Sequence, residues 1–135
     1  MINKSFNVKI NKKLFPFNKS INVDSDKSIS IRSLLIGSIS QNISSVKNIL
    51  ESEDVLSTVE CLRKLGVKIN KKKNCYLIYG KGLGSLIAKK NSKLNFGNSG
   101  TLARLLIGLL STTPNISINL SGDHSLKKRS MKKLI

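Results

Sequence analysis

The sequence predicts an α/β (α+β) fold built on a repeated βαβαββ unit, one unit complete and a second cut short. Three observations carry this prediction. Apolar spacing alternates between the two-residue period of strands and the 3.6-residue period of helices. Polar turns of similar character open successive helices. Finally, Asn48-Ile49-Leu50-Glu51-Ser52-Glu53 and Ile118-Asn119-Leu120-Ser121-Gly122-Asp123 fill the same strand-to-helix position in two halves of the chain, the mark of an internal repeat.

Each element has its own justification. Residues 5 to 10 alternate as a strand, interrupted by Asn-Lys-Lys and Pro16, and residues 20 to 23 suit a short second strand. A helix is predicted from about Lys27 to Ser40, with Ile31, Leu34, Leu35 and Ile39 as its apolar stripe and Asp24 to Asp26 as N-cap candidates. Ser45 to Leu50 reads as a strand. Glu53 and Asp54 open the next helix, acids where the helix dipole favours them. Val55, Val59, Leu62 and Leu65 are its buried positions, and Gly66 its C′ residue. Val67 to Asn70 and Cys75 to Tyr79 form a hairpin around a lysine-rich turn. The pattern then restarts, with a strand at 94–96, a turn at 97–100, a helix at 101–111, a strand at 116–120 and a helix from Ser125 to Ile135.

The chain of 135 residues with 39% hydrophobic content has enough material for one core. No apolar run reaches the ~18 residues of a membrane span, and no apolar segment of the secretory type follows Met1. Cys61 and Cys75 have neither metal-ligand spacing nor the density of a disulfide scaffold. The expectation is a cytoplasmic protein with reduced thiols, no metal, no cofactor and no membrane or nucleic-acid partner. A net charge of +17 raises the alternative of a small basic nucleic-acid-binding module. Against it, the excess is nearly all lysine, alongside much Asn and Ile, a pattern resembling A/T-biased coding. Aromatic residues that could stack on bases make up only 4%.

The arginines are more telling, because only Arg32, Arg63, Arg104 and Arg129 occur in a chain so rich in lysine. Arginine offers the planar, bidentate contact to phosphate or carboxylate that lysine lacks. Lys27, Ser28 and Arg32 fall at one predicted helix start, and Asn98, Gly100 and Thr101 at another. Lys127, Lys128 and Arg129 form a third basic cluster. Helix starts present free N–H groups and positive potential to anions. Arg63 is expected on a surface, Arg104 in a structural or long-range role, and His124 as a solvated neighbour of a helix cap.

Four segments carry a resemblance: residues 25–32 (Ser-Asp-Lys-Ser-Ile-Ser-Ile-Arg), 50–55 (Leu-Glu-Ser-Glu-Asp-Val), 97–101 (Gly-Asn-Ser-Gly-Thr), and Gly122-Asp123 through Lys128-Arg129-Ser130-Met131. In order and spacing they resemble the 5-enolpyruvylshikimate-3-phosphate synthase family, also called 3-phosphoshikimate 1-carboxyvinyltransferase. The resemblance covers nearly the whole chain but only about the first third of the family's usual length. It departs at Ser130, where the family usually has proline, and at His124, which replaces an acid.

The resemblance implies the enolpyruvyl transferase fold and transfer of the enolpyruvyl group from phosphoenolpyruvate to the 5-hydroxyl of shikimate 3-phosphate, with release of phosphate. Lys27, Ser28 and Arg32 would bind shikimate 3-phosphate; Lys27, Asn98, Gly100, Thr101 and Arg129 would bind phosphoenolpyruvate. No catalytic residue is expected within these 135 residues, so the chain reads as an inactive fragment of a monomeric enzyme. Residues 1–19 are expected to belong to another lobe. Residues 20–135 are expected to form a partial substrate-binding lobe, with unit one at about 20–90 and unit two at about 91–135. The nearest rival is a transferase of the UDP-N-acetylglucosamine enolpyruvyl type, but residues 111–115 lack the reactive cysteine that such enzymes usually carry there.

Overall fold

The structure, a computed structural model, describes residues 9, 11, 23–73, 75–89 and 91–131. The expected strands at 5–10 and 20–23 and the boundary near residue 19 lie essentially outside this set. Helix α1 (Lys27–Ile39) begins where Asp26, in extended conformation, accepts a 2.7 Å hydrogen bond from the Ile29 N–H. Such a cap is worth ~1 kcal/mol. Strand β1 (Ile43–Lys47) follows, then α2 (Glu53–Lys64), β2 (Lys68–Lys72) and β3 (Cys75–Tyr79). Helix α2 ends as the glycine signal predicts, with Gly66 at φ +82°.

Strand β3 lies between β1 and β2, antiparallel to both, with Ile43 and Lys68 each paired to Tyr79 and Lys47 and Lys72 each paired to Cys75. On β3 the buried residues are Tyr76 and Ile78, two apart and so on one face of the sheet. That face meets α1 closely at Gly37, where an added Cβ would stand 2.8 Å from Ile78 Cδ1.

The second half is a parallel pair, β4 (Lys93–Asn95) and β5 (Asn119–Ser121), joined through α3 (Gly100–Leu110). Parallel strands need such a crossover. Phe96 N–H to Ser121 O and Asp123 N–H to Gly97 O continue the pairing into the turn that precedes α3. A one-turn helix, α4 (His124–Lys127), completes the order.

The core joins the two halves through their helices. Helix α1 packs on both α2 and α3 and against β3, while α2 packs on β2 and β4. Ile31 and Leu34 of α1, Val55 and Leu62 of α2, and Leu102 and Leu106 of α3 are fully buried there. Each contributes ~1.5–3 kcal/mol by leaving water.

Three sequence expectations need correction. The strand expected at 45–50 lies at 43–47, because Asn48 takes φ +53° and breaks the extended run. The strand expected at 116–120 shrinks to 119–121 after Asn115 at φ +54°. The helix expected from Ser125 lasts one turn, and residues 128–131 have left it.

Two glycines test this packing in opposite directions. A Cβ on Gly80 would run into the carbonyl oxygens of Ser40 and Gly37, whereas one on Gly108 would meet nothing within 4 Å. Gly80→Ala is expected to cost ~3 kcal/mol through overpacking against backbone. Gly108→Ala, mid-helix and exposed, should add ~0.5–1 kcal/mol. Urea unfolding midpoints of the two variants check both signs.

Candidate anion-binding site

Three helix starts each use one of their own N–H groups internally. Asp26 accepts from Ile29 N–H on α1, Ser99 from Leu102 N–H on α3, and Asp123 from Leu126 N–H on α4. On α3 this leaves the N–H groups of Gly100 and Thr101 without a partner among the described residues. They lie in the first turn, at the positive end of an 11-residue helix, and Gly100 itself is buried.

Around that start the structure gathers one predicted group. The Arg129 guanidinium donates through Nη2 to Asn98 Oδ1 at 2.8 Å. Its Nη1 comes so close to Gly100 that an added Cβ would stand 2.9 Å away. Arg104, expected in a structural or long-range role, lies near the same point, with Nη1 3.9 Å from that Cβ position. Two guanidinium groups therefore border the start of α3. Thr101 is half-buried in the first turn.

A second group forms at the start of α1. Lys27 Nζ pairs with Asp54 Oδ2 at 2.9 Å, with the carboxylate only 15% exposed. Sequence reasoning missed this partner. It took the acid in the first turn of α2 as a complement to the helix dipole, and only the packing of α2 on α1 reveals the second role. Ser28 is half-buried beside Lys27, and Arg32 is exposed one turn deeper. Arg32 borders an apolar groove between α1 and α3 formed by Leu35, Ile36, Ile39, Leu105 and Leu109. It is not in hydrogen-bond contact with Lys27 or Ser28 among the described bonds.

Helix α2 connects the two groups. Asp54 holds Lys27, and Ser57, three residues on and therefore on the same helix face, lies with its Oγ 3.2 Å from a Cβ placed on Gly97. The remaining predicted residues differ in role from expectation only slightly. Arg63 is exposed but donates to the Ile69 carbonyl at 2.8 Å, tying α2 to β2, and His124 is exposed at the start of α4.

One further ionic cluster lies beyond these groups. Glu51 accepts from Lys71 Nζ at 2.6 Å and from Tyr76 Oη at 2.9 Å. The Lys71 bond, then the Tyr76 bond, hold the Glu51 carboxyl below its ordinary value of 4.5. The same contact raises Lys71. Cys61, by contrast, is inert: burial pushes its thiol up to about 11, and its Sγ donates to the Asn95 carbonyl.

Comparison with known proteins places this geometry in a family. Residues 12–135 match the family model for EPSP synthase (3-phosphoshikimate 1-carboxyvinyltransferase). The chain is 43% identical over 127 residues to the 3-phosphoshikimate 1-carboxyvinyltransferase of Syntrophomonas wolfei, covering 94% of this chain and 29% of that protein. It is 45% identical over 117 residues to the Bacillus cytotoxicus enzyme of the same name, covering 87% and 27%. Its fold superposes on the EPSP synthase of Acinetobacter baumannii with a TM-score of 0.74 and 39% identity, covering 84% of this chain and 26% of that one. The fold and its turns thus define an enolpyruvyl transferase type of chain. It belongs to the EPSP synthase family, an enzyme family, and spans less than a third of the length of the curated relatives it matches.

Two outcomes follow from the ion pairs. A double-mutant cycle of Lys27→Met and Asp54→Asn, read from urea midpoints, should give a coupling of ~0.5–1 kcal/mol, the range for a partly exposed pair. Because the folded-state value of Glu51 is lowered, its contribution is present above the ordinary value of 4.5 and is lost as pH falls through the folded value. The stability difference between the native chain and Glu51→Gln should therefore be constant near neutral pH and shrink on acidification from about pH 5 downward. Urea titrations across that range measure it.

Proposed function

We propose that this chain supplies substrate-binding groups to an enzyme that joins phosphoenolpyruvate to shikimate 3-phosphate and releases phosphate. In the reaction the 5-hydroxyl gives up its proton to a base and its oxygen adds to C2 of phosphoenolpyruvate while C3 gains a proton from an acid. The tetrahedral adduct then expels phosphate and loses a proton from C3, restoring the enolpyruvyl double bond. Both substrates are multiply charged anions, so the site must first offset their repulsion and fix their approach.

Lys27 serves both substrates, with Ser28 and Arg32 on shikimate 3-phosphate. Asn98, Gly100, Thr101 and Arg129 serve phosphoenolpyruvate. The observation that carries this reading is the gathering of Asn98 and Arg129 at the start of α3, where the Gly100 and Thr101 N–H groups have no partner among the described residues. The lack of a side chain at Gly100 is what lets the Arg129 guanidinium come so near the helix start. Arg104 belongs beside Arg129 as a second positive charge. The same reading gives a cytoplasmic, monomeric enzyme.

The proton transfers demand a positioned acid and base. Asp54, the half-buried carboxylate near Lys27, is occupied by its ion pair. The resemblance assigns neither role to a residue of these 135, so the chain by itself is expected to show no turnover. Phosphate release above background that disappears in Lys27→Ala would contradict this.

Arg32→Lys tests the shikimate 3-phosphate assignment, since it keeps the charge and removes the planar fork. Calorimetric titration of the enzyme containing this chain should show affinity for shikimate 3-phosphate weakened by ~1.5–3 kcal/mol. The effect on phosphoenolpyruvate should be smaller. Unchanged affinity would remove Arg32 from the site.

A further inference from the structure

Among the helices of the site, α2 is the one whose start is not held by its own N-cap side chain. Ser52 occupies the N-cap position, yet its hydroxyl is buried and makes no hydrogen bond. The placement of Asp54, two residues into α2, must therefore come from elsewhere. One tie is to α1: the Leu50 N–H donates to Ser30 Oγ at 3.0 Å, and Ser30 in turn donates to the Asp26 carbonyl at 2.7 Å. The other is Glu51, whose two carboxylate oxygens take separate donors, Lys71 Nζ and Tyr76 Oη. Those donors are direct cross-strand partners on β2 and β3, so the sheet presents them together. Tyr76 is 5% exposed and packed in the core, which makes the anchor point rigid.

We propose that Glu51 is a positioning residue for Lys27, acting through Asp54: its two bonds to the β2–β3 hairpin set where α2 begins and so where the Asp54 carboxylate meets the Lys27 ammonium. Residue 51 is separated from Asp54 by only Ser52 and Glu53, and Ser52 N–H to Leu50 O and Val55 N–H to Ser52 O pass the constraint along the backbone. The functional consequence rests on the reading of Lys27 as a substrate-binding residue.

The experiment follows the carboxyl carbons by NMR in the 135-residue chain, whose seven Asp and Glu residues give few enough signals to assign. Lys27→Met sets the shift of the Asp54 signal when its partner is gone. Glu51→Gln, a surface change of nearly equal size, is expected to move Asp54 in the same direction, and to move it no further in the Lys27→Met background. The charge swap Glu51→Lys with Lys71→Glu is expected to return the Asp54 signal toward its original position. An Asp54 signal unmoved by Glu51→Gln, or moved equally with Lys27 absent, would overturn the proposal.

Titration of shikimate 3-phosphate into the same proteins separates the two readings. Glu51→Gln should weaken binding about threefold, the size of effect a partly exposed ion pair exerts. If Lys27→Met leaves the affinity unchanged, or no binding is seen at all, the functional reading fails, while the Asp54 signal still decides the positioning role.

Discussion

The burial of α1 against both α2 and α3 is the constraint on which the other features depend. Its side chains Ile31, Leu34 and Leu35 fill the space between the halves, and Gly37 lets the far end of the helix press onto Ile78 of the sheet. With α1 fixed on several sides, its first turn has a defined position. The Asp54 carboxylate that α2 brings to that turn then meets Lys27 at hydrogen-bond distance. Close apolar packing sets the frame, and the polar contacts are possible because the frame is already there.

The starts of α2 and α3 are secured differently. Helix α3 caps itself and leaves the Gly100 and Thr101 N–H groups without a partner among the described residues, while α2 relies on Ser30 and Glu51 outside itself. The first arrangement suits a place that receives an anion, because its donors are pre-oriented and unpaid. The second suits an element whose task is to hold another residue in place. Both come from the same polar, small-residue composition at a strand-to-helix turn, so composition alone does not distinguish them.

Much of this was legible in the sequence. The stripes of α1, α2 and α3 and their caps are local, and local rules captured them, including Asp26 and Gly66. The helix-start groups at 27–32 and 97–101 were legible as motifs, and the nearness of Asn98 to Arg129 was implied by the resemblance alone. What escaped depends on tertiary contact. Asp54 and Glu51 look like ordinary acids near a helix start, and nothing in the spacing announces that Lys27, Lys71 and Tyr76 will meet them. Nor does a helix position four beyond Gly100 hint that the Arg104 guanidinium turns back toward the helix start. The strand ends shifted where asparagines left the extended region, a choice that apolar periodicity does not register.

Those asparagines have a consequence of their own. Asn48, Asn91 and Asn115 all take positive φ, the conformation that glycine adopts at no steric cost and that asparagine tolerates better than most residues. Glycine would fit each of these corners without steric cost, whereas a β-branched residue there would strain it. At these three corners the chain path therefore depends on a side chain that tolerates the left-handed region.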